Sequence, residues 1–225
     1  MDLKKKVSYA ALQYFCSMFE ELEFLISGIV LGLVAGISPG PLLALVFSET
    51  LKYGKIEGIK VAIAPLVTDL PVVLFVLFIL SNLVRYNFVI GIISLFGAGF
   101  LVYLGIENLR FEIKELEAKV DKKDGLKRGI IVNLLNPNPY LFWFFIGGPI
   151  IFRSLEMHVS ATALFIVGFY ALLIGSEIGI ALIVDKSKSF IKSKYYIYIV
   201  RVLGLTLMLF ALFFVYEGLK LLSVF

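Results

Sequence analysis

The chain has 225 residues, is 60% hydrophobic with mean hydropathy +0.97, and carries a formal net charge of +4. Soluble domains are about 45–50% apolar, so this composition describes a membrane protein, and unbroken apolar runs without two-residue alternation exclude a β-barrel. Cys16 and His158 are each alone in their type, which excludes an internal disulfide, a Cys/His zinc cage, a CxxC relay and bis-histidine haem ligation, and no basic stretch forms a nucleic-acid footprint.

Residues 1–23 read as an N-terminal extension. Lys4-Lys5-Lys6 followed by Val7–Phe19 resembles a signal peptide, but Glu20, Glu21 and Glu23 spoil a cleavage region. Two readings stand: an interfacial amphipathic segment, or a mis-assigned start, since Met18 would begin a neater first span. Runs able to cross a ~30 Å hydrocarbon core then predict six spans, at 24–47, 60–82, 87–108, 128–151, 160–184 and 196–221.

Span one repeats glycine at Gly28, Gly32, Gly36 and Gly40, a bare face that suits close helix packing within the chain and, as a weaker alternative, a homo-oligomer contact. It is interrupted by Ser38-Pro39-Gly40-Pro41, whose prolines lack a backbone donor and leave the carbonyls of Ala35 and Ile37 unserved. Such a break is tolerated in a membrane only where protein buries it or it lines a wet cavity. Span two places Asp69 about 15 Å into the membrane at 1.5 Å per residue. A carboxylate there is costly, seldom faces lipid, and must meet donors, a cation or a proton. Span three ends on Tyr103-x-Gly105.

Residues 109–127 form a charged connector, expected on the cytoplasmic side. Span four carries Asn136-Pro137-Asn138-Pro139, the counterpart of the first break, with the carbonyls of Asn133 and Leu135 expected to be freed, and then Trp143, whose plainest use is packing. Span five holds Glu177 between Gly175 and Gly179, where snorkelling to the interface is as good a reading as function. Glu107 and Arg201 sit close to span ends, and span six closes on Tyr216-x-Gly218.

The matched features divide the chain into a three-helix repeat at 24–108, a hinge at 109–127 and a second repeat at 128–225. Three spans in series force opposite topologies, so the expected fold is an all-α membrane protein of six transmembrane helices, two inverted repeats with proline-broken helices one and four. Lys and Arg crowd the loops after spans one, three and five, while Lys4, Lys5, Lys6, Arg85, Arg153 and Lys220 fall on the other side. This places both termini outside a cytoplasmic (inner) membrane. In each break a capping residue, Ser38 or Asn136, precedes a proline that can start a helix, so two helix N-termini point into the membrane and suit an anionic group.

These motifs resemble the lysine-exporter (LysE/RhtB) family of amino-acid exporters. The resemblance rests on Ser38-Pro39-Gly40-Pro41, Gly54 and Gly58, Asp69, Gly97-Ala98-Gly99-x-Leu101-x-Tyr103-Leu104-Gly105 and Asn133-Leu134-x-Asn136-Pro137, and covers about 24–221. The family commonly has Lys where Asn138 stands here. The resemblance implies a carrier, not an enzyme, that needs no cofactor or metal and exports amino acids or related small zwitterions by proton antiport. The candidate substrate-binding residues are Ser38, Pro39, Gly40, Pro41, Asp69, Asn133, Asn136 and Pro137, and the candidate proton-coupling residues are Asp69 and Glu177. An inorganic-ion transporter has too few intramembrane oxygens in its favour, and a non-transporting scaffold leaves Asp69 beside matched breaks without a reason.

Overall fold

The structure, a computed structural model, describes residues 21–83, 87–110, 124–186 and 194–222. Residues 1–20 and 111–123, which hold most of the expected extension and hinge, lie outside the described residues, as do Arg85, Lys188 and Lys192.

All regular structure among the described residues is helical. In chain order it comprises α1 Glu21–Ile37, α2 Pro41–Tyr53, α3 Lys55–Ala62, α4 Ala64–Leu83, α5 Asn87–Leu109, α6 Gly125–Leu135 and α7 Pro137–Phe142. A π-helical turn at Trp143–Gly147 leads to α8 Gly148–Met157, α9 Val159–Lys186 and α10 Lys194–Leu221. Four stretches are long and apolar enough to cross a membrane: Lys55–Leu83, Phe88–Leu109, Val159–Lys186 and Lys194–Leu221. The pair α1 and α2 makes a fifth, bent by 59° at the first break. Residues 128–151, expected as one proline-broken span, are divided among α6, α7, the π turn and α8.

Local chemistry sets each interruption. The last amide of α1 is spent in Ser38 N–Val34 O at 2.9 Å; Pro39 then offers no donor, and Gly40 is extended at φ −151°, ψ 175° before Pro41 opens α2 at the first helical position. Ser38 was expected to cap this helix. Gly40 is the capping position instead, with no side-chain bond, because the second proline defers the helix start. The second break behaves as expected: Asn136 accepts from the amide of Asn138 at 3.1 Å and Pro137 opens α7. The carbonyl of Asn133 is not freed there, since the Asn136 amide reaches it at 3.2 Å. Between α2 and α3 the chain turns at Gly54, whose φ of +90° favours glycine.

Three of the four ladder glycines pack inside the chain, while Gly40 lies in the break beyond α1 and meets no other helix. A Cβ on Gly28, Gly32 or Gly36 would strike the backbone of Phe165, Phe169 or Leu173, so α1 lies directly on α9. Gly125 and Gly129 of α6 likewise meet the backbones of Glu57 and Val61 on α3. Helices α5 and α10 run antiparallel with Gly105 against Gly204 and Gly91 against Gly218, each Cβ position 2.8–3.0 Å from the opposing carbonyl oxygen. Along α4 the residues Asp69, Val72, Val76 and Leu80 are buried, while Leu66, Leu70, Leu74, Phe75 and Phe78 are exposed on the apolar outer face. Asp69 therefore sits on the stripe that faces the bundle.

Candidate functional site

Asp69 is 4% exposed and surrounded by donors. Its Oδ1 accepts from Asn133 Nδ2 at 3.0 Å and lies 3.4 Å from Thr68 Oγ1; its Oδ2 accepts from Trp143 Nε1 at 3.3 Å and the Tyr170 hydroxyl at 3.4 Å. Asn133 also donates to Thr68 Oγ1 at 2.6 Å, and Thr68 reaches back to the carbonyl of Ala64 at 3.1 Å. The donors come from α6, the π turn and α9, so one carboxylate of α4 ties both halves of the chain together. The wide turn at Trp143–Gly147 delivers the indole; a Cβ at Gly147 would collide with that ring. Trp143 is therefore more than packing, although it also meets Phe142, Phe169 and Tyr170 ring to ring.

Glu177 does not snorkel. It is 2% exposed, and its Oε2 has no hydrogen-bond partner among the described residues. Burial of a carboxylate oxygen without a donor is expensive.

One cavity of about 140 Å³ gathers these features. Ser38, Pro39 and Gly40 from the first break, Asn136, Asn138 and Pro139 from the second, Asp69, Trp143 and Glu177 all line it. Of the candidate substrate-binding residues, Pro41, Asn133 and Pro137 do not line it, although Asn133 bonds to Asp69, which does. The first break is held by groups that sequence reasoning did not assign: Asn108 Nδ2 donates to Ser38 Oγ at 2.8 Å, and the Tyr196 hydroxyl serves the freed carbonyl of Ile37 at 3.1 Å. Polar-tipped aromatics such as Tyr170, Tyr196 and Trp143 within apolar spans usually need a partner, and that was the available signal for them. Glu107 is exposed at the rim of the cavity.

A second cavity, of about 280 Å³, lies among Leu80, Ser94, Arg153, Glu156, Phe213 and Glu217. Leu80 is roughly 16 Å along α4 from Asp69 at 1.5 Å per residue. Arg153 there approaches Glu23 and Glu217, each at 3.8 Å, and lies 5.5 Å from the ring centre of Phe213. A buried ion pair of another kind joins α2 to α6: Arg128 Nη1 to Glu49 Oε1 at 2.7 Å.

One cavity inside a multi-pass membrane protein thus brings together a buried carboxylate held by donors, a second with an unpartnered oxygen, and two broken helices. The family model for LysE type translocators matches residues 33–218, which include every residue lining the cavity. The chain is 25% identical over 205 residues to the "Putative amino acid efflux protein YcgF" of Bacillus subtilis (strain 168), covering 88% of this chain and 98% of that protein. No solved structure matches it. With the family match spanning most of the chain, the protein belongs to the LysE type translocators and is a membrane transporter, not an enzyme.

Proposed function

We propose that the protein exports amino acids or related small zwitterionic solutes across the cytoplasmic membrane in exchange for protons. The observation that carries this reading is the single cavity where both proline breaks meet Asp69 and Glu177. Helix α2 opens into it with no side-chain cap, and Pro41 has no N–H, so the amides of Leu42 and Leu43 are left for a ligand. Such an end suits a carboxylate. The buried acids suit an ammonium. Helix α7 is the poorer anion end, because Asn136 already occupies the amide of Asn138. A cavity of about 150 Å³ accommodates benzene, a bulk close to that of a small amino acid. In this reading Ser38, Pro39, Gly40, Pro41, Asp69, Asn133, Asn136 and Pro137 form the substrate site, and Asp69 and Glu177 are the candidate proton carriers.

The six-span inverted-repeat arrangement belongs to the same proposal. Matched contacts support it: Gly28–Phe165 and Gly32–Phe169 correspond in register to Gly125–Glu57 and Gly129–Val61, and Gly105–Gly204 exchanges with Gly91–Gly218. Each of these pairs maps onto its partner when the halves are swapped, as a pseudo-two-fold axis in the membrane plane requires. The repeats are 24–108 and 128–225, with the 109–127 hinge cytoplasmic and both termini outside. Labelling of a cysteine placed at Lys119 by an impermeant reagent in intact cells would overturn that orientation.

The function is tested by reconstituting the protein in liposomes and measuring uptake of a panel of amino acids with and without an imposed pH gradient. Gradient-stimulated flux of at least one amino acid is expected. A panel-wide absence of flux, from protein that remains folded, refutes the reading.

A further inference from the structure

The two intramembrane carboxylates occupy equivalent places. In the register that matches the halves, Thr68-Asp69 of α4 falls on Ser176-Glu177 of α9. Both hydroxyls bond back into their own helices, Thr68 to the carbonyl of Ala64 at 3.1 Å and Ser176 to that of Leu173 at 3.0 Å. Both acids are buried, at 4% and 2% exposure, and both line the same cavity. Their partners differ completely. Asp69 accepts from three side-chain donors on other elements, Asn133, Trp143 and Tyr170, whereas Glu177 Oε2 has no hydrogen-bond partner among the described residues.

The sequence accounts for that difference. The position equivalent to Asn133 is Gly36, which has no side chain. The position equivalent to Tyr170 is Ala62, and those that match Trp143 are Leu45 and Val46. None can donate a side-chain hydrogen bond. The open oxygen of Glu177 therefore has a cause in the sequence, since the equivalents of the three Asp69 donors are all residues without a side-chain donor. A carboxylate has room for about four hydrogen bonds, so Asp69 is served as an anion, while Glu177 cannot remain an anion without a cation or a proton. Around Glu177 the charged groups of the packed elements are Glu21 and Glu23 on α1, Glu49 and Lys52 on α2, Lys55, Glu57 and Lys60 on α3, and Arg153 and Glu156 on α8. None of these lines the cavity; Asp69 and Glu107 do, and both are acids. No fixed cation of the lining compensates Glu177.

We infer that Glu177 is the exchange group of the transporter, holding a proton when the cavity is empty and the solute's ammonium when it is full, while Asp69 is a fixed, donor-held anion that positions the site. This rests on the amino-acid reading given above. The exchange balances: the ammonium arrives with its positive charge, the Glu177 carboxyl becomes a carboxylate paired with it, and the released proton leaves through the cavity. No covalent bond of the solute changes.

The test uses the purified full chain in detergent and in liposomes. In the solute-free protein, the infrared C=O stretch of a protonated carboxylic acid should be present in wild type and in Asp69→Asn, and lost in Glu177→Gln. Glu177→Gln should melt at the wild-type temperature, since it strands no partner. It should lose at least tenfold of gradient-driven uptake of the amino acid that wild type transports. Adding that amino acid should release protons from wild type and none from Glu177→Gln. Persistence of the band in Glu177→Gln, or wild-type uptake by that variant, overturns the inference while leaving amino-acid transport intact. A band that behaves as expected in a protein that carries no amino acid overturns the transport reading instead.

Discussion

Removing Arg128 should destabilise the protein more than most single substitutions outside the cavity. Arg128 Nη1 meets Glu49 Oε1 at 2.7 Å, and Glu49 is 0% exposed. Arg128→Ala would leave a buried carboxylate without its cation, a change that typically costs about 3–5 kcal/mol. The Arg128 side chain keeps 24% exposure, so water can follow the truncation inward and the lower end of that range is expected. At about 2–4 °C per kcal/mol for a chain of this size, the melting temperature in detergent should fall by roughly 6–12 °C. The pair is also one-pronged: Oε2 of Glu49 has no hydrogen-bond partner among the described residues. A fork is therefore unnecessary, and Arg128→Lys should recover most of the loss, in contrast to a bidentate site. The double variant Glu49→Gln with Arg128→Gln should be closer to wild type than Arg128→Ala, because no charge is left buried. Thermal unfolding of the four proteins, with uptake measured in parallel, decides it. A fall below about 1 kcal/mol for Arg128→Ala would mean that the pair behaves as a surface contact and does not fix the helix after the first break to the helix before the second.

Other substitutions separate packing from the site. Gly32→Ala should cost about 1–3 kcal/mol as an overpacking change, because its Cβ would lie 2.8 Å from the carbonyl carbon and 2.9 Å from the Cα of Phe169, backbone atoms that cannot step aside; Gly175→Ala, with nothing within 4 Å of the new methyl, should be neutral or mildly stabilising in the same melting assay. Replacing Pro39 and Pro41 together with Ala should let α1 run on into α2 and abolish uptake with folding largely retained; normal uptake would reduce the break to a kink. Trp143→Phe keeps the ring stack but removes the 3.3 Å donor to Asp69, and should lower stability by about 1.5 kcal/mol, the low end for a bond to a charged group, because the contact is long.

The features legible in the sequence were those with local causes. A proline pair interrupts a helix wherever it stands, and an acid inside an apolar run has few explanations, so the two breaks and Asp69 could be singled out without knowing a neighbour. The glycine ladder was legible for the same reason, since four-residue spacing makes a bare face whatever helix covers it. What could not be read depends on rotation and depth. The polar tips of Trp143 and Tyr170 call for a partner, but Asp69 is not legible as that partner until α4 is placed beside them. Arg128 reads as one more basic residue of a charged connector, yet it is committed to Glu49 across the bundle.

Glu177 shows why depth alone misleads. Counted along α9, it is near enough to the end of the span for its carboxylate to reach the interface, and a long side chain usually does. The helix turns it the other way, into the cavity, because Phe165, Phe169 and Leu173 commit the same face of α9 to the glycines of α1. That close contact lies at four-residue steps along α9, so Glu177, four residues beyond Leu173, continues the same stripe. The glycines that bring the two helices together thus also aim the acid. A substitution that separates α1 from α9, such as Gly36→Ala, should disturb Glu177 without touching it. Its uptake should fall more steeply than its stability, whereas a loss of uptake no greater than that of an equally destabilised Gly105→Ala would show that the ladder serves packing alone.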